Sequence, residues 1–188
     1  MDRETVSKII PALDDELLEW VAAQPVFFVA TAPNGPGGHV NLSPKGHDTF
    51  RVLDPLRVAY LDLTGSGAET IAHLRENGRI TVMFTAFAGP PRILRMYGRG
   101  SVHELGTDGY RSLQDRFDDI AGTRAIIEVE IERLSTSCGY AVPFLEFQEE
   151  RPTLIQWATR KSPEELDAYR AEKNATSIDG LPVFPPPR

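Results

Sequence analysis

Cysteine is nearly absent from this chain: Cys138 is the only one in 188 residues. A disulfide framework is excluded and a thiolate metal site nearly so. A lone cysteine after a strand reads as a small apolar residue rather than a nucleophile. Basic charge is also short, with 20 Lys and Arg against 27 Asp and Glu and a net charge of −7. Neutralising a duplex backbone takes clustered Lys and Arg, so nucleic acid is not an expected partner. No apolar run nears the roughly 20 residues of a membrane span, so no membrane is expected either. Residues 1–11 are charged and lack an apolar signal core, and the expected location is the cytoplasm. His39, His47, His73 and His103 fall into no H-E-x-x-H or similar spacing, and no metal site is expected. The Gly-x-Ser-x-Gly elbow of a serine hydrolase is missing too.

The apolar fraction of 41% is that of a soluble globular chain, and the length suffices for one domain with a real core. Asp14 reads as the cap of a helix to about Ala23, stopped by Gln24-Pro25. Strands are expected over residues 26–31, 40–43, 49–53, 57–63, 79–84, 93–104 and 124–134. The turn-forming run Pro33 to Gly38 makes the first two a hairpin. In the last strand Ile127, Val129 and Ile131 alternate with Glu128, Glu130 and Glu132, one face in and one face wet. Gly98 and Gly100 suggest a bend or bulge in their strand.

Short helices are expected from Glu69 to a C-cap at Asn77-Gly78 and from Thr107 to about Phe117. Residues 152–160 read as helical. Ser162-Pro163-Glu164-Glu165 opens another helix to about Asn174, with an extended end beyond Gly180. Bent strands without alternating βαβ units point to a mainly β fold, a small barrel with flanking helices. A single unit over 1–188 is expected, with a barrel core at 14–135 and a helical extension at 136–188.

Two stretches carry the chemistry. Val40-Asn41-Leu42-Ser43-Pro44-Lys45-Gly46 is a strand ending in small polar residues and a lysine. Leu63-Thr64-Gly65-Ser66-Gly67-Ala68-Glu69-Thr70 is a strand end turning into a helix. Lys45 offers a point charge, Ser43 a hydroxyl, and the helix start free N–H groups with the positive end of its dipole. Brought together, they would hold a phosphate. Each half also has a plainer reading. Ser66-x-x-Glu69 is a capping box, Lys45 a surface lysine at a turn, and Gly65 and Gly67 turn glycines. Arg92, Arg95 and Arg99 are either solvated strand arginines or contacts for a substrate anion.

The order of these stretches, followed by His73-Leu74-Arg75-Glu76-Asn77 and Arg79-Ile80-Thr81-Val82-Met83-Phe84, resembles the pyridoxamine 5′-phosphate oxidase-like, FMN-binding split-barrel family. The resemblance spans roughly residues 14 to 135. It implies a split β-barrel and a homodimer with FMN in each of two interfacial clefts. It also implies an oxidoreductase acting on a small-molecule substrate. Lys45 then matches the phosphate lysine, with Asn41, Leu42 and Ser43 beside the ring and ribityl chain. Leu61 and Asp62 fall near the second contact strand, and Ser66, Gly67, Glu69 and Thr70 around the second phosphate position. The chain departs from true pyridoxamine phosphate oxidases in lacking basic residues at Glu69 and Thr70 and an arginine near Val40. It also lacks their C-terminal Arg-x-x-x-Pro stretch, so vitamin B6 oxidation is not the expected reaction. The alternative on the same fold is a non-catalytic carrier or sensor of deazaflavin or haem; for haem His47-Asp48 would orient an imidazole ligand, the plainer reading of His47 being a surface histidine.

Overall fold

The computed structural model describes residues 8–184. The charged start through residue 7 and the Pro185–Pro187 run lie outside it. The elements run β1 (Lys8–Ile10), α1 (Asp15–Ala22), β2 (Phe27–Thr31), β3 (Asn41–Lys45), β4 (Phe50–Asp54), β5 (Arg57–Leu63) and α2 (Glu69–Asn77). There follow β6 (Arg79–Thr85), β7 (Ile93–Glu104), α3 (Asp108–Leu113), β8 (Thr123–Ser137), α4 (Thr153–Thr159) and α5 (Pro163–Lys173). The strands form one sheet in the order β3-β2-β6-β7-β8-β5-β4, with β1 added to β8. Every pairing is antiparallel. The fold is a split β-barrel with flanking helices, the mainly β class that the strand pattern implies.

Side chains show the curling. β2 and β4 lie near opposite ends of the sheet order, yet the rings of Phe27 and Phe50 sit 5.1 Å apart. Phe84 and Tyr60 complete the aromatic cluster, 4.9 Å from Phe50 and 5.5 Å from Phe27. Such pairs add about 0.5–1.5 kcal/mol each beyond their buried area. The bend read from Gly98 is real: the β7–β8 register shifts between Tyr97 and Gly98. A Cβ at Gly98 would collide with the Glu130 carbonyl, so the two backbones touch there.

Helices close both sides. α2 buries Ile71, Ala72 and Leu74 on the main core and ends at Gly78, whose φ of 70° is the left-handed cap. On the other face Ala59, Leu61 and Ile126 form a second cluster under Tyr110, Leu113 and Phe117. The Thr107-capped helix is α only to Leu113 and finishes as a 3-10 turn through Arg116.

β1 escapes sequence reading. It is three residues long and owes its shape to pairing Ile10 with Leu134. The Ser162–Glu165 capping box forms as its residues imply. α4 meets α5 through Trp157 and Tyr169, ring centres 4.9 Å apart. The expected extended end is corrected where it is described. Residues 175–183 fold back on themselves, with Ser177 N–H to Leu181 O at 2.8 Å and Val183 N–H to Ala175 O at 3.1 Å. The driving force is Val183, which is fully buried in the main core.

Candidate functional site

Strand alternation sorts β3 into two faces. Asn41, Ser43 and Lys45 turn toward α2 and β5, while Leu42 and Pro44 turn to solvent. The same rule acts on β5: Tyr60 and Asp62 share one face, and Leu61 goes the other way into the cluster under α3. Of the residues expected at the site, Leu42 and Leu61 therefore stand apart from the polar group.

Lys45 Nζ donates to Asp62 Oδ1 at 3.2 Å. Asp62 is fully buried and also accepts from Arg124 Nε at 2.6 Å. Burial alone would push the Asp62 carboxyl up; Lys45 and Arg124 outweigh it and hold the group below the ordinary carboxylate value. Two cations thus face one carboxylate. Only Lys45 keeps a path to solvent, its side chain 21% exposed against 3% for Arg124.

Arg124 reaches further. Its other nitrogens donate to Gly67 O at 2.7 Å and Asn174 Oδ1 at 2.8 Å. Asn174 Nδ2 donates to Gly65 O at 2.9 Å and Ser66 O at 3.2 Å. Arg170 Nε donates to Thr64 Oγ1 at 3.0 Å. Burial, with Arg124 close by, lowers the Arg170 pKa from its usual value. The loop between β5 and α2 is therefore held from beneath by one strand and one helix.

These carbonyl anchors explain why the Ser66 box fails. α2 begins at Glu69 with Ala68 as its N-cap, and no side chain caps it. A box on Ser66 would start the helix two residues earlier, which the tethered carbonyls of Gly65 to Gly67 forbid. Ser66 and Gly67 stay exposed on the loop. Neither Gly65 nor Gly67 has a positive φ, so the left-handed freedom of glycine is not what the loop uses. Glu69 turns its carboxylate to the Ile178 N–H at 3.3 Å.

A second network lies behind β3. Ser43 Oγ donates to Asn41 Oδ1 at 2.9 Å, and Asn41 Nδ2 donates to Thr70 Oγ1 at 3.1 Å and Thr31 Oγ1 at 3.3 Å. Thr31 Oγ1 lies 2.9 Å from His73 Nδ1. His73 is fully buried, and its Nε2 has no partner among the described residues. Burial pushes the imidazole pKa down against the opposing charges of Asp179, Glu69 and Glu76, so it is neutral at pH 7.

Arg92, Arg95 and Arg99 do not gather. They go separately to Glu16, Ser137 and Glu132. His47 has φ 57° and lies 3.5 Å from Glu150. Sequence reading missed Arg124, Arg170, Asn174, Thr31 and His73 as parts of the site. The only local signal for any of them is Arg124, a charged residue opening a strand of apolar alternation.

A barrel of this topology with a lysine-tipped strand beside a loop–helix junction defines a class, and the comparisons agree. Residues 13–138 match the family model for pyridoxamine 5′-phosphate oxidase. The chain is 42% identical to the pyridoxamine 5′-phosphate oxidase family protein ustO of Aspergillus flavus, over 91% of this chain and 75% of that one. The chain belongs to the pyridoxamine 5′-phosphate oxidase family. Crystal structures of the HupZ protein of group A Streptococcus share the fold at TM-score 0.50 and 21% identity, covering 65% of this chain and 91% of that one in one case. A Lactobacillus delbrueckii protein proposed as a pyridoxamine 5′-phosphate oxidase does so at TM-score 0.51 and 17% identity, covering 68% and 98%. No helix among the described residues is long and apolar enough to cross a membrane.

Proposed function

We propose that this chain binds FMN and works as a cytoplasmic oxidoreductase on a small molecule, as a homodimer with the flavin between subunits. Family membership supports the reading, and one observation carries it. Lys45 is the solvent-reaching member of a group in which two cations outnumber one carboxylate, and the group adjoins a loop with free N–H groups at a helix start. That donor set fits a phosphate monoester. Lys45 Nζ and the loop amides would hold the phosphate, with Asn41 and Ser43 toward the ribityl chain and ring. Bound FMN supplies the hydride and electron chemistry. The protein's own share is binding, orientation and exclusion of water, so the site needs no catalytic triad.

Asn41 is fixed from three sides by Ser43, Thr31 and Thr70, which engage its Nδ2 group and one lone pair of Oδ1 and leave the other lone pair as an acceptor. Support for the dimer comes from the outer face of β3. Val40 and Leu42 are exposed there, and Tyr97 and Val40 line a shallow groove of about 380 Å³.

Flavin fluorescence titration and release on denaturation test the cofactor. Anaerobic NADH and NADPH titrations test the redox role, and light scattering tests the dimer. Protein that fails to take up FMN sinks the reading. Uptake of a deazaflavin in its place moves the cofactor assignment and leaves the fold. A flavin-loaded monomer at micromolar concentration refutes the dimer.

A further inference from the structure

The geometry points to helix α5, outside the span that matches the family model, as part of the phosphate-binding device: Asn174 and Arg124 aim the loop amides at the anion. The inference rests on the FMN reading above and names residues that reading does not need.

Peptide planarity is the argument. In a trans peptide the C=O of one residue and the N–H of the next point in opposite directions. Gly65 O and Ser66 O are both drawn to Asn174 Nδ2, and Gly67 O to the Arg124 guanidinium. Arg124 and Asn174 are both buried, so all three carbonyls point inward. The N–H groups of Ser66, Gly67 and Ala68 must then point away from those anchors, the first two on exposed residues and the third on a buried one. Among the described residues none of the three has an acceptor. A run of such amides makes an anion-binding concavity, and here it leads into the first turn of α2, whose dipole has the same sign.

The arrangement answers a problem set by the sequence. Glu69 and Thr70 open α2 without adding positive charge: Glu69 accepts from the Ile178 amide with one carboxylate oxygen and sets the other beside Gly67, and Thr70 accepts from Asn41. The first turn of α2 carries no basic side chain, so any attraction for an anion there comes from backbone dipoles, which are useful only while the loop is held. Asn174 and Arg124 hold it without touching the ligand. They are positioning residues. Arg170, donating to Thr64 Oγ1 and Thr123 O, ties α5 to the same place.

The test compares FMN with riboflavin, which differ only in the phosphate. Affinities are measured by flavin fluorescence quenching for wild type, Asn174→Leu, Asn174→Gln and Arg124→Lys, with melting curves to check folding. In Asn174→Leu the preference for FMN over riboflavin should drop by about tenfold or more, the scale of one lost charge-assisted contact. Riboflavin affinity should stay within about twofold. Asn174→Gln keeps the amide and should recover part of the preference. If Asn174→Leu does not fold, Arg124→Lys carries the same expectation, since an ammonium keeps the charge beside Asp62 but not the fork to Gly67 and Asn174. Equal losses for both flavins, or an unchanged preference, would overturn the inference and leave the FMN reading standing. Wild-type protein that binds neither flavin, or both equally, would overturn the phosphate reading and this inference with it.

Discussion

Asp62→Asn is the substitution with the largest expected consequence for the fold. The carboxylate is fully buried and shared by Arg124 at 2.6 Å and Lys45 at 3.2 Å. Removing its charge leaves the Arg124 guanidinium buried without a counter-ion. Breaking a buried pair in this way costs about 3–5 kcal/mol. Asparagine keeps one carbonyl to accept from Arg124, so the low end, about 3 kcal/mol, is expected. In a chain of this size each kcal/mol moves the melting point by about 2–4 °C, which gives a fall of about 6–12 °C. The assay is thermal and urea unfolding of wild type, Asp62→Asn, Arg124→Met and the double variant. The double variant should be more stable than the sum of the singles implies, by at least about 1 kcal/mol.

Acid supplies an internal control. Asp62 has a lowered pKa when folded, so its contribution is complete above the unfolded value of 3.8 and is lost as pH falls through the folded value. The gap between wild type and Asp62→Asn should be constant from pH 6 to 8 and narrow only below about pH 4. A single variant melting within about 2 °C of wild type, or strict additivity in the cycle, would refute the reasoning.

Lys45→Ala should weaken FMN by about ten- to a hundredfold and riboflavin little; equal small effects would return Lys45 to the role of an ordinary surface residue. Gly98→Ala should lose about 3 kcal/mol in urea unfolding, because the new methyl meets the Glu130 carbonyl, whereas Gly35→Ala, with open space around it, should change stability by no more than about 0.5 kcal/mol. His73 has a lowered pKa, so below pH 6.5 the unfolded chain takes a proton that the folded one refuses and stability declines. In His73→Asn that decline below pH 6.5 should be missing from the melting profile; a slope equal to wild type would show the imidazole is not its source.

Much of the barrel is legible because it is written in local alternation. Ile127, Val129 and Ile131 face inward as their spacing implies, and Arg57–Leu63 and Ile93–Glu104 fall on the strands read from sequence. The Ser162 cap is legible for the same reason, since its partner lies three residues away. The site is legible only by half. Lys45 and Asp62 could be placed near each other by family order, but Arg124 meets Asp62 across 62 positions and Asn174 meets Gly65 across 109. No periodicity encodes such pairs. Asn174 reads locally as a helix end, which it also is, and Ser66 reads as a cap that the distant anchors prevent. β1 is hidden because its partner strand, not its own sequence, makes it extended.

The anchoring of the loop by α5 also sets an order of events during synthesis. Chains are made from the N-terminus and fold as they emerge, at about 5–20 residues per second. All eight strands are translated before Arg170, Asn174 and Val183. The barrel can close around its aromatic rings while the loop at Gly65–Gly67 is still without its clasp. Anchoring of the β5–α2 loop is then a separate, later step than pairing of the strands. A chain held on the ribosome with β8 just clear of the exit tunnel would have all eight strands free to pair while α5 and Val183 were still shielded, and a fusion or truncation that displaces α5 would likewise leave the β5–α2 loop without its clasp.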